Sequence, residues 1–110
     1  MSMSNEIIYE FAREVQDILG PKLSQILLFG SYARGDFTEH SDIDVMILVR
    51  LSDDEIRIIR NTISDCAFEY LMKYKVDISP VIINDAHFNY WVDSLPFYKN
   101  VKEEGVELVA

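Results

Sequence analysis

The stretch from Ile26 to Val49, ILLFGSYARGDFTEHSDIDVMILV, constrains the chain more than any other part of it. Its opening run, Ile26 to Phe29, is wholly apolar and reads as a buried strand. Gly30-Ser31 ends that run, where a residue without a β-carbon lets the backbone turn sharply and offer N–H groups to an anion. After a polar connection, Ile43 to Val49 read as a second strand, entered through Asp42 and carrying Asp44. Strand side chains alternate, so Asp42 and Asp44 share a face, and Ile43, Val45 and Ile47 fix the other face as the buried one. Two neighbouring carboxylates repel each other unless a cation sits between them. An anion cradle beside a carboxylate pair points to a site for a metal-bound phosphate.

The rest of the chain supplies cover for these strands. Ser4 or Asn5 is the expected cap of a first helix, with Ile7, Ile8, Phe11, Val15, Ile18 and Leu19 at helical spacing and Gly20-Pro21 as its stop. Ser31 to Arg34 reads as a short helix ended by Gly35, followed by the polar connection that carries Asp36, Glu39 and His40. Ser52 and Glu55 match a capping box for a helix reaching Lys73 or Tyr74, with Ile56, Ile59, Ile63, Ala67, Tyr70 and Leu71 as its inner stripe. Val76 to Ile83 reads as a third strand, and Pro80 marks it as an edge or a strand end. Asn84 or Asp85 opens a short helix, Ser94 and Pro96 open another that ends at Gly105, and Val106 to Val109 form a last short strand. This order predicts an α/β or α+β layer structure.

At 110 residues the chain is expected to be one domain, spanning 1–110, with a single core. Apolar residues at 49% and charged residues at 26% argue for a folded protein rather than a disordered one. A net charge of −9 disfavours a long nucleic acid as partner and suits a basic protein. The single cysteine, Cys66, excludes an intrachain disulfide and a multi-thiolate metal site, and reads as a small core residue. No signal peptide and no stretch long enough for a membrane span are visible, so a cytoplasmic location is expected.

The segment Gly30-Ser31-Tyr32-Ala33-Arg34-Gly35, followed by Ser41-Asp42-Ile43-Asp44-Val45, resembles the G-S…S-D-x-D signature of the polymerase-beta-type nucleotidyltransferases. The short length makes the chain most similar to the minimal nucleotidyltransferases, antitoxin halves of two-gene pairs whose toxin is a helical HEPN-domain ribonuclease. The resemblance implies a mixed sheet flanked by helices. It also implies a third aspartate from the third strand, where Asp77 is the only acidic residue.

On that reading Asp42, Asp44 and Asp77 are both catalytic residues and metal ligands, converging from adjacent strands. Hard carboxylate oxygens suit Mg²⁺, and two such ions about 3.5–4 Å apart clamp the attacking and departing oxygens of an in-line displacement. Asp77 would also take the proton of the attacking hydroxyl. Gly30, Ser31, Arg34 and Ser41 are the expected nucleotide-binding residues. The resemblance favours transfer of AMP from ATP to a tyrosine hydroxyl of the partner toxin, which silences it.

Plainer readings stand beside these. An isolated Asp-x-Asp is commonly a solvated strand end, Arg34 a solvated helix-end arginine, and Ser41 a brace for its loop. His40 reads as a surface histidine, and His87 as packed or exposed rather than a ligand. Tyr90, Trp91, Phe97 and Tyr98 fit either core packing or a partner-binding or base-stacking surface. Lys99, Asn100 and Lys102 fit a solvated helix face as well as a contact to nucleotide or partner. Two competing functions remain: an antitoxin that neutralises by binding alone, and a small-molecule nucleotidyltransferase that borrows its acceptor pocket from a partner subunit.

Overall fold

A computed structural model describes residues 3–36, 38 and 41–109. In chain order the elements are α1 (Met3–Leu19), a 3-10 turn over Gly20–Lys22, β1 (Leu23–Phe29), α2 (Ser31–Arg34) and β2 (Ile43–Val49). They continue with α3 (Asp53–Tyr74), β3 (Ile78–Asn84), α4 (Asp85–Trp91), α5 (Pro96–Glu104) and β4 (Val106–Val109). The four strands form one mixed sheet in the order β3-β2-β1-β4. β1 runs antiparallel to both β2 and β4, whereas β2 and β3 are parallel.

Alternation along the strands sends two different apolar sets to the two faces. Ile26, Leu28, Ile43, Val45, Ile47 and Val49 meet the apolar stripes of α1 and α3, where Phe11, Val15 and Ile63 are fully buried. Leu27, Met46 and Leu48 point the other way and pack against Phe88, Val92, Tyr98 and Val101 of the α4–α5 region. Asp42 and Asp44 continue this second row beyond its apolar part, so they emerge on the α4–α5 side of the sheet.

The helix ends follow local chemistry. Ser52 and Glu55 form the reciprocal capping box at the start of α3, and the Asn84 side chain accepts from His87 N–H at the start of α4. Gly105 follows α5. The helix α1 already includes Met3, so Ser4 and Asn5 lie inside its first turn rather than capping it. Ile18 is 40% exposed and leaves the core to Leu19. Ser94 does not cap α5; Leu95 holds that position without a side-chain cap, with Pro96 in the first turn. Ile58 is exposed and lies outside the buried stripe of α3.

Cys66 is buried, as its place on α3 leads one to expect, and its Sγ donates to Glu14 Oε2 at 3.0 Å. Glu14 also accepts from Tyr70 Oη at 2.7 Å, which ties α1 to α3. Burial, then the Glu14 carboxylate, push the Cys66 thiol up to about 12.

β3 begins at Ile78, two residues later than the apolar run suggests, so Asp77 sits just ahead of it. Ile43 N–H donates to the Asp77 carbonyl at 2.8 Å. In a parallel ladder this turns the backbone groups of Asp77 and Ser79 towards β2 and those of Pro80 outwards. Pro80 thus places its missing N–H on the open edge, where a proline costs no ladder bond. Among the described residues no helix is long and apolar enough to cross a membrane.

Candidate active site

The site forms where β1 ends and β2 and β3 begin. Antiparallel pairing sets Phe29 opposite Asp44, and parallel pairing sets Ile43 beside Ile78 and Asp44 beside Ser79. One step back in the second register, Asp42 and Asp77 are neighbours at the entrances of their strands. Two carboxylates at the start of β2 and one just ahead of β3 therefore gather at one end of the sheet.

Gly30 joins this cluster to the turn. Its backbone has φ 74° and ψ −152°, a region that essentially only glycine occupies. A β-carbon built there would overlap Asp44 Oδ2, so the Asp44 carboxylate packs directly on the bare Cα. α2 starts at the next residue; Arg34 N–H donates to Gly30 O at 3.1 Å, and Gly35, at φ 83°, closes the turn by donating to Ser31 O at 2.9 Å. The first N–H groups of a helix have no partner inside it, and those of α2 begin beside Asp44.

The electrostatics follow from crowding of like charge. Asp44 is half-buried, and its carboxyl is raised above the ordinary range by that burial and by the Asp42 charge, with Arg34 opposing. Burial, slight at this exposed position, and the charge and hydrogen bond of Asp42 raise Asp77 as well. Asp42 is thus the shared neighbour of the other two. Among the described residues, no three His, Cys, Asp or Glu side chains are arranged to hold a metal ion. What fits a divalent cation is the donor set: hard oxygens whose mutual repulsion a positive charge would relieve.

Arg34 does not point freely into this cluster. Its Nε lies 3.3 Å from Asp36 Oδ2 and its Nη1 3.7 Å from Glu104 Oε2 at the end of α5. Nothing in the local sequence marks Glu104 as that partner. Ser41 braces its loop: its Oγ accepts from Thr38 N–H at 2.9 Å, and its own N–H donates to Thr38 O at 3.0 Å. Glu39 and His40 lie outside the described residues.

A cavity of about 300 Å³ opens beside Gly30, lined by Phe29, Arg34, Phe97, Asn100 and Glu104 among others. Phe97 is half exposed and meets Phe29 edge-to-face at 5.5 Å, whereas Tyr98 is buried against Phe88. The aromatic group therefore divides, with Tyr98 in the core and Phe97, Tyr90 and Trp91 outside it. His87 is exposed and stacks edge-on against Tyr98 at 5.7 Å. A larger cavity, about 460 Å³, lies at the other end of β3 between Arg57, Arg60, Asn84 and His87. Size and chemistry disagree here, and the convergence of carboxylates with the glycine turn outweighs volume.

Two outcomes follow from this geometry. Gly30→Ala should destabilise the fold by about 1–3 kcal/mol from backbone strain alone, measured by chemical denaturation; a variant as stable as the parent would contradict the glycine-only backbone conformation. Asp44→Asn should raise the melting temperature at neutral pH in the presence of a chelator. A carboxyl with a raised folded-state pKa stabilises the fold only while protonated and loses that contribution as the pH rises through the raised value. The gain should therefore shrink on acidification towards about pH 4, and an unchanged or lower melting temperature at neutral pH would contradict the crowding.

The model of the nucleotidyltransferase domain matches residues 8–108. A protein of Methanocaldococcus jannaschii named "putative protein adenylyltransferase" is 40% identical over 96 residues, covering 84% of this chain and 92% of its own length. A second of that name from the same organism is 36% identical over 98 residues, with 89% and 90% covered. The crystal structure of "a putative nucleotidyltransferase from Sulfolobus solfataricus" shares the fold with a TM-score of 0.63 at 19% identity, over 93% of this chain and 76% of that one. A structure described as "the toxin-antitoxin with AMP-PNP" superposes with a TM-score of 0.58 at 24% identity, over 93% and 73%. A toxin–antitoxin pair bearing two aspartate-to-glutamate replacements two positions apart matches equally well, with a TM-score of 0.58 at 22% identity. With nearly the whole chain matched by the domain model, and with a glycine turn set against an aspartate pair, this protein belongs to the nucleotidyltransferase family.

Proposed function

We propose that this protein is a Mg²⁺-dependent protein adenylyltransferase that moves AMP from ATP to a tyrosine hydroxyl of a HEPN ribonuclease toxin, and so acts as its antitoxin. On this reading it works in the cytoplasm as one domain. The observation that carries the reading is the packing of the Asp44 carboxylate on Gly30, a hard oxygen donor set directly against the glycine turn. Support for a protein acceptor comes from the names of the Methanocaldococcus relatives. Support for ATP and a toxin partner comes from the fold neighbours, one of them with AMP-PNP. The aspartate pair replaced in the other neighbour has the spacing of Asp42 and Asp44. The HEPN and tyrosine identities follow from the resemblance of the sequence signature.

The residues take distinct roles. Asp42, Asp44 and Asp77 would hold the magnesium, whose positive charge favours both the bound triphosphate and the departing pyrophosphate. Ser31 and the backbone N–H groups after Gly30 hold the terminal phosphates at the start of α2. Arg34 offsets phosphate charge once it leaves Glu104 and Asp36, both exposed enough for the exchange to be cheap. Ser41 keeps the entry to β2 in place through Thr38. Asp77, at the mouth of the neighbouring strand, accepts the proton of the attacking hydroxyl.

The test uses the purified chain, Mg²⁺, each α-labelled nucleoside triphosphate in turn and the product of the adjacent gene. Label on the partner from ATP, reduced at least about 100-fold by Asp77→Asn, is the expected result. A tight complex with no label from any nucleotide would overturn the enzymatic reading and leave an antitoxin that acts by binding. Label on a small hydroxyl compound but not on protein would replace the acceptor class.

A further inference from the structure

The cavity of about 460 Å³ at the far end of β3 takes no part in the site described above. Ile82 and Ile83 pack towards opposite faces of the sheet and both line it, so it wraps the open edge of that strand. α3 supplies Arg57 and Arg60, one turn apart on the same side of the helix, while α4 and α5 supply His87 and Tyr98. Its volume is that of a small-ligand site.

What sets this cavity apart is that its donors are not already used. Arg60 makes no ion pair or hydrogen bond among the described residues. Arg57 has one ion pair, to Asp54 at 3.4 Å, and both side chains are so exposed that opening it costs little. Tyr98 is only 8% exposed, yet its hydroxyl has no hydrogen-bond partner among the described residues. None of their side-chain oxygens is both fully buried and unpartnered, so this hydroxyl reaches open space, and the cavity is a space that Tyr98 lines. The Asn84 amide, by contrast, is taken: it donates to Leu51 O at 2.7 Å and accepts from His87 N–H at 2.9 Å. Asp53 is the only acid among the described lining residues, and it is exposed. Two guanidinium groups against one carboxylate give a positive recess on a chain whose net charge is −9.

These donors suit an anion that accepts from several directions at once. A carboxylate offers two oxygens, whereas a terminal phosphate offers three and carries up to two charges, and arginine meets it with a planar fork. A long polyanion such as RNA would carry its repeating charge across the rest of an acidic surface, so the fit is to a small molecule. We infer that this cavity at the edge of β3 is a second binding site, for a small phosphate-bearing ligand held by Arg57, Arg60 and the Tyr98 hydroxyl, with His87 beside them. It lies at the opposite end of the β2–β3 pair from Asp42 and Asp77, and it does not depend on the adenylyltransferase reading.

The experiment titrates the full chain with inorganic pyrophosphate and, separately, with AMP, by calorimetry in the presence of a chelator and at constant ionic strength. Four variants run beside the parent: Arg57→Gln with Arg60→Gln, Tyr98→Phe, Lys73→Gln with Lys75→Gln at the far end of α3, and Asp42→Asn with Asp44→Asn. Both arginines are exposed, so their replacement leaves the core intact. The parent should bind at least one probe saturably, and the tighter of the two tells whether the ligand is a free phosphate compound or a nucleotide. The arginine variant should weaken that binding at least about tenfold, the loss of one charge-assisted hydrogen bond or more, and Tyr98→Phe about threefold. The lysine variant, which removes the same charge elsewhere, and the aspartate variant should match the parent. An equal loss in the lysine variant would reduce the effect to general attraction and overturn the inference. So would a loss in the aspartate variant with none in the arginine variant, which would place the ligand in the active site. No saturable binding of either probe, or Tyr98→Phe as tight as the parent, would overturn it as well.

Discussion

The contact between Gly30 and the Asp44 carboxylate is the constraint on which the site depends. It needs a residue without a β-carbon, a backbone conformation reserved for glycine, and the register that sets Phe29 opposite Asp44. The register in turn needs Ile26, Leu28, Val45 and Ile47 on one face and Leu27, Met46 and Leu48 on the other, because a slip by one residue would exchange the faces. The apolar core and the polar site are therefore specified by the same alternation. The aspartates occupy the row that would otherwise continue the α4–α5 core, at the end where the helices no longer cover it.

A cluster of carboxylates carries a standing cost in the absence of a cation, and the fold bears it where it is least: Asp42 and Asp77 are exposed and only Asp44 is half-buried. Arg34, whose charge opposes the shift at Asp44, is shared with Asp36 and Glu104, so it tempers the cluster without neutralising it. On the proposed reading, an acidic site with a tethered arginine would suit a metal–triphosphate complex, in which positive and negative groups arrive together, better than a bare anion. These carboxylates also account for part of the overall charge of −9.

Much of this was legible in the sequence because the signals were local. Two apolar runs, a glycine-serine turn, the capping box Ser52–Glu55 and the stop at Gly105 each act within a few residues and lie where the spacing puts them, except that β1 begins at Leu23, three residues ahead of its apolar run. Asp77 was found as the acid of the third apolar run, yet the strand itself begins one residue later, because β2 pairs with it only from Ile43 onwards. What sequence reading missed depends on distance. Arg34 meets Glu104 across most of the chain, the Phe29–Phe97 contact joins β1 to α5, and the cavity at the far end of β3 needs α3, α4 and α5 beside an edge strand. Ile18 and Ser94 misled because helical spacing and cap chemistry describe what a residue can do, while packing selects Leu19 and the Leu95-Pro96 start instead.

The central claim is that the three aspartates and the Gly30 turn form one site for a metal-bound triphosphate. The most direct measurement is the melting temperature of the chain with Mg²⁺ and ATP together, with each alone, and in an Asp42→Asn, Asp44→Asn double variant. Ligand at about a hundred times its dissociation constant adds about 2.7 kcal/mol, a shift on the order of ten degrees for a domain of this size. The account predicts that shift for the parent with both ligands, a smaller one with ATP alone, and none in the double variant. No shift with both ligands at saturating concentration, or an equal shift in the double variant, would contradict it.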